Sequence, residues 1–182
     1  RRLGVPVNIF AVSPADESTW PADEVVDVRG KIVGLQFKKP TLATPCSSND
    51  FSRLHWDFSK PGNQLGRVVA NAEIFYCLPT FMNRDVRPYA LHHCLFWRPS
   101  DERDQRAWYE NPNPAVRTQY SKICDAPRWG LFVERFIRCS IGRFLNGQSF
   151  SSYMSALRGN PSTSSTNGAA ATIQMLVLKQ ET

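Results

Sequence analysis

The sequence predicts a mainly β fold, an antiparallel β-sandwich of jelly-roll type with one or two short inserted helices. Three observations carry that expectation. Short apolar stretches with alternating or doubly apolar faces recur along the 182 residues, which is the pattern of strands. Thirteen prolines and ten glycines punctuate them, so elements are short and connections numerous. Hydrophobic residues make up 42% of the chain and aromatics 12%, enough apolar material for a packed core.

Leu3 to Val12 is apolar, and Pro6 confines it to an edge or a strand start. Ser13 to Asp23 is polar and proline-bounded, hence a loop. Residues 1–23 therefore read as an N-terminal arm or edge segment ahead of one β-sandwich domain over 24–182. Glu24 to Phe37 is rich in valine and glycine, and its apolar parity switches beside Gly30 or Gly34, which predicts a β-bulge. Lys38 to Asp50 is a loop. Phe51 to Phe58 is a short strand and Lys60-Pro61-Gly62-Asn63 a turn. Arg67 to Leu78 follows as the clearest strand, with Val68, Ala70, Ala72, Ile74, Tyr76 and Leu78 on one face, and pairs with 51–58 as a hairpin.

Pro79 to Pro88 is a loop. Tyr89 to Trp97 is apolar on both faces apart from His92 and His93, as a strand buried between layers would be. Arg98 to Pro114 is a long polar connection with a helical turn from Ser100, and Ala115 to Cys124 a short helix. Trp129 to Ile141 fits either period, and its β-branched and aromatic content favours strand. Phe150, Tyr153, Met154 and Leu157 have helical spacing, stopped by Gly159 and Pro161. Ala171 to Lys179 closes the chain as a strand.

The formal net charge is +6, and the isoelectric point of about 9.3 favours acidic partners such as nucleic acid. No apolar stretch approaches the ~20 residues that span a bilayer, so no membrane partner is expected. The five cysteines are odd in number and contain no C-x-x-C pair, which speaks against a zinc ribbon and for a mostly reduced protein. The chain opens on Arg1-Arg2 without a methionine, as a clipped N-terminal segment would.

None of the recurrent catalytic motifs is present: no G-x-S-x-G, P-loop, H-E-x-x-H or dinucleotide fingerprint. His92 and Cys94 share one face of a strand, but two residues are half of a zinc site, and ordinary packed side chains are the simpler reading. Asp101, Glu102 and Asp104 lie among Arg98, Arg103 and Arg106, where a solvated mixed-charge loop outweighs acid–base chemistry. No enzyme, cofactor or metal is expected. Nucleic-acid contact is expected at Arg1, Arg2, Lys31, Lys38, Lys39, Arg128, Arg138 and Arg143. The arginines are interleaved with Phe132, Phe136 and Phe144, a pattern that grips phosphates and stacks bases. An arginine-fringed core strand and solvated surface lysines are the competing readings.

Several features of the second half occur together. A strand ends in Trp97-Arg98-Pro99, a polar excursion follows, and an arginine-started segment runs over Arg128–Ile141. A short helix and a Ser/Thr/Asn/Gly loop lead to Thr172–Lys179. Over 24–182 this element order resembles the capsid proteins of small icosahedral viruses with one jelly roll per subunit. The resemblance implies a structural protein that self-assembles into a virion shell. It also implies a basic N-terminal arm neutralising the genome, with Arg1-Arg2 as its stump. Partners would be copies of the chain and RNA or DNA, and the place of action the virion, otherwise the cell interior. Two alternatives stand beside it. An OB-fold-like single-strand binder would stack bases on Trp56, Phe58, Phe75 and Tyr76. A secreted effector or small hydrolase is the third reading.

Overall fold

The computed structural model describes residues 7–42, 54–59, 62–82, 84–109, 121–123 and 125–158. Arg1, Arg2, the expected final strand over 171–179 and most of the expected helix over 115–124 lie outside the described residues.

In chain order the elements are β1 (Asn8–Ala11), α1 (Pro14–Glu17), β2 (Glu24–Val28), β3 (Lys31–Phe37), β4 (Thr41–Leu42), β5 (Leu54–Asp57), α2 (Gln64–Ala70) and β6 (Ile74–Pro79). A kinked 3-10 segment (Arg84–His93) leads into β7 (Cys94–Trp97), β8 (Arg106–Trp108), β9 (Ser121–Lys122), α3 (Trp129–Ile137), β10 (Arg143–Phe144) and α4 (Phe150–Leu157). The larger sheet runs β1-β2-β3-β6-β7, with β10 on β3. A smaller sheet runs β4-β5-β8-β9. The fold is β-rich, but it is a mixed α/β arrangement and neither sheet is closed.

The larger sheet is the middle layer. Val26, Val33, Leu35, Phe75, Cys77 and Phe96 on one face pack against Phe132 and Phe136 of α3. Val25, Ile32, Ile74, Tyr76, Leu78 and Trp97 on the other face meet Leu65 and Val68 of α2, Trp56 of the smaller sheet and Tyr153 and Met154 of α4. β3 is central because its residues are buried along almost the whole strand. β1 pairs with β2 at one edge.

Several expectations are corrected. The sheets are not wholly antiparallel: β3 runs parallel to β6 and β8 to β9. A parallel pair needs a crossover, and the one from β3 to β6 contains α2. The expected strand over Arg67–Leu78 is therefore helix in its first half and strand only from Ile74. Asn63 caps that helix, its side chain accepting from the Gly66 N–H at 3.2 Å. The expected hairpin of 51–58 with 67–78 does not form, since β5 pairs with β4 and β8. The parity switch in Glu24–Phe37 is a two-residue hairpin turn, with Arg29 at φ 54 and Gly30 at φ 74, instead of a bulge.

Trp129–Ile137 is a helix. Phe132 and Phe136 stand one turn apart and face the sheet together, Phe132 stacking on Phe96 with centroids 4.3 Å apart. Packing thus overrides intrinsic β preference. Cys139 closes the helix at φ 61, and the Ser140 N–H bonds the Arg135 carbonyl at 3.0 Å. Of the expected strand Tyr89–Trp97, only Cys94–Trp97 is strand. No helical turn forms at Ser100; the connection instead contains β8. Ser121–Lys122, within the expected second helix, is strand. The short helix over 150–157 forms as its spacing predicts.

Candidate functional site

After Lys31, β3 is apolar on both faces until Gln36. Gln36 and Lys38, two residues apart, then fall on the face covered by α2. Both are buried, Gln36 at 2% exposure and Lys38 at 5%. Asp23, just ahead of β2, is held beside them because its N–H bonds the Leu35 carbonyl at 2.9 Å. The first residue of α2, Gln64, drops onto the same point and is 5% exposed.

These four side chains form one hydrogen-bonded chain. Lys38 Nζ donates to Gln64 Oε1 at 2.6 Å. Gln64 Nε2 donates to Gln36 Oε1 at 3.0 Å. Gln36 Nε2 donates to Asp23 Oδ2 at 2.6 Å, and the Phe37 N–H donates to the same oxygen at 2.6 Å. The Lys38 ammonium also lies 5.3 Å from the centroid of the Tyr76 ring and 5.7 Å from that of Phe58, within cation–π range. Tyr76 is fully buried, and its hydroxyl has no hydrogen-bond partner. Burial pushes its phenol well above the ordinary range, against the pull of the Arg67 charge. Burial and the Asp23 charge push the Glu24 carboxyl up.

A buried polar cluster destabilises a fold relative to an apolar one, so its location matters. It lies at the carboxyl end of β3, where the crossover to the parallel strand β6 begins. Ligands of open α/β sheets bind outside the carboxyl ends of such strands. The donor set is an ammonium, a carboxylate and amide oxygens. Among the described residues no group of three His, Cys, Asp or Glu side chains is arranged to hold a metal ion. Magnesium does not require one, because it keeps several waters and is completed by substrate phosphates around one or two carboxylates.

Of the basic residues expected to grip nucleic acid, Arg1 and Arg2 lie outside the described residues. Lys31 and Lys38 are buried, and the two ends of β3 they mark are about 23 Å apart at strand rise. Lys31 Nζ donates to the Phe136 carbonyl at 2.6 Å. Lys39 is exposed. Arg128 is the N-cap residue of α3, exposed, and its guanidinium donates to the Tyr109 hydroxyl at 3.5 Å. Arg138 pairs with Glu134 at 2.9 Å, and Arg143 pairs with buried Glu73 at 3.2 Å. Trp56, Phe58, Phe75 and Tyr76, the expected base-stacking platform, are all buried in the core. His92 and His93 are exposed, whereas Cys94 is buried and its thiol donates to the Ala90 carbonyl at 3.2 Å.

Sequence reasoning singled out Lys38 and missed Asp23, Gln36 and Gln64. Two polar side chains two residues apart at the end of an apolar strand were the available signal. The position of Gln64 depends on a crossover that the alternation of 67–78 concealed. No protein-family model, no curated protein and no solved structure matches this chain.

Proposed function

We propose that this domain binds nucleic acid and hydrolyses its phosphodiester backbone with a divalent cation. The observation that carries the reading is the Lys38–Gln64–Gln36–Asp23 chain at the carboxyl end of β3. Asp23 and the Gln36 amide oxygen are the hard oxygen donors that would hold a magnesium ion there. A cation held there would supply an activated water for attack on phosphorus, with one phosphorus–oxygen ester bond broken and the leaving oxygen protonated from solvent. Lys38 stabilises the negative charge that develops on the phosphoryl oxygens. Gln64 positions Lys38 through the 2.6 Å bond, and the surplus of +6 draws in the polyanion.

The test is incubation of labelled single- and double-stranded DNA and RNA with the domain, in magnesium or manganese and in chelator. Wild type is expected to cut at least one of the four substrates only with the cation. Asp23→Asn and Lys38→Met are expected to lose about 100-fold or more of that rate while keeping the circular dichroism of the wild type. Absence of cation-dependent cleavage on all four substrates overturns the reading.

A self-assembling shell subunit that contacts nucleic acid, on a jelly-roll-type sandwich, is the second proposal. What supports it is the exposure of Met82 (57%), Tyr89 (58%) and Leu131 (46%) on a basic protein.

A further inference from the structure

On the opposite face of the larger sheet, α3 does not close fully onto β2 and β3. A cavity of ≈ 340 Å³ remains, about twice the ~150 Å³ that accommodates benzene. Its walls are apolar, including Val26 and Val33 from the sheet and Val133 and Phe136 from the helix. Three further lining residues, Val7, Ile137 and Phe144, are about half exposed, so apolar surface is left uncovered around it.

Among the described residues the charged side chains lining it are Arg29 and Lys31, with no carboxylate. Lys31 is 4% exposed. Its ammonium has three donors and a single hydrogen-bond acceptor, the Phe136 carbonyl at 2.6 Å. The rings of Phe136 and Phe144 lie 4.9 and 5.3 Å away, which offsets part of the desolvation and supplies no counter-charge. A buried cation without an anion in an apolar chamber is complementary to an anionic head on an apolar body. Arg29, held in the left-handed region at φ 54 by the turn, adds a second positive charge.

We infer that this cavity is a binding site for a free monocarboxylate with an apolar body of about two rings or the equivalent chain, its carboxylate on Lys31. The site is independent of the Asp23–Lys38 cluster, which faces the other layer.

The test is calorimetric titration of the whole chain with decanoate, 2-naphthoate and the neutral comparator decanol. Wild type is expected to bind the acids at least about tenfold tighter than the alcohol, a difference of about 1.4 kcal/mol. Lys31→Met is expected to bind acid and alcohol alike, and Val133→Phe, which fills the chamber, to bind neither. If Lys31→Met fails to fold, the acid-to-alcohol ratio of wild type and the Val133→Phe titration decide alone. Equal affinity of wild type for acid and alcohol, no binding of either, or binding undiminished by Val133→Phe overturns the assignment.

Discussion

Tyr76 and Tyr153 are buried phenols whose hydroxyls end differently. The Tyr153 hydroxyl donates to Glu73 Oε1 at 2.7 Å. That carboxylate also accepts from Trp20 Nε1 at 3.1 Å and pairs with Arg143. The Tyr76 hydroxyl bonds nothing. Removing a hydroxyl without a partner removes only its burial penalty, whereas removing one bonded to a carboxylate forfeits a charge-assisted bond. Tyr76→Phe is therefore expected to leave stability unchanged or raise it by about 1 kcal/mol, and Tyr153→Phe to lower it by about 2 kcal/mol, read from urea unfolding at neutral pH. Burial is the leading cause that holds both phenols above their ordinary range, and for Tyr153 the bond to Glu73 and its charge add to it. The neutral form is favoured in the folded state, so the associated stability is fully present below the unfolded value near pH ~10. It is lost as pH rises above that, because the unfolded chain releases protons that the folded one retains. Wild type should thus lose more stability between about pH 9 and pH 11 than either variant.

At the scale of elements, β3 organises the fold, and two of its features are sharp enough to test. An ideal Cβ on Gly34 would lie 2.6 Å from the Trp20 ring and 3.0 Å from the Ala22 Cβ. Gly34→Ala forces that wall to move and should destabilise by about 1–3 kcal/mol. Arg29 occupies the left-handed region at φ 54, which costs a side-chain-bearing residue about 1 kcal/mol. Arg29→Gly should therefore stabilise by up to that amount, and thermal unfolding of the two variants gives opposite signs. The same strand shows where the sequence is legible. Valine content marked out Glu24–Phe37 as strand, though as one bulged stretch and not the β2–β3 hairpin, and the i, i+3, i+4, i+7 spacing of Phe150 to Leu157 marked out α4. Ala70 and Val68 misled because a seven-residue helix and a six-residue strand, run together, mimic one alternating strand. Trp129 to Ile137 misled because its aromatic residues suit a strand locally, while Phe96 and Phe75 recruit Phe132 and Phe136 to a helical stripe. Half of the polar cluster was visible as Gln36 and Lys38. Asp23 and Gln64 reach it through pairing register and the crossover, which are tertiary facts.

For the whole molecule, the two edge strands of the larger sheet differ: among the described residues one is covered and one is not. β7 is closed on its outer side by Arg128, which bridges Leu95, and by the Phe96 N–H bond to the Pro127 carbonyl at 2.9 Å. β1 pairs with β2 alone among the described residues, and an open edge is where another chain would add. β1 is only four residues long, and short edge strands are weak templates for pairing. The proposed cleavage needs no partner copy, since Asp23, Gln36, Lys38 and Gln64 come from one chain. The expected outcome of light scattering with absorbance at 260 and 280 nm is a species near 20.6 kDa without co-purifying nucleic acid once magnesium is supplied. Its affinity for an added oligonucleotide in chelator should fall steeply between about 50 and 200 mM salt, as counterion release dictates. A uniform particle many times that mass, carrying nucleic acid that survives magnesium, would reverse the order of the two proposals. Met82, Tyr89 and Leu131 would then be subunit contacts, and the Asp23–Lys38 chain a structural knot between β3 and α2.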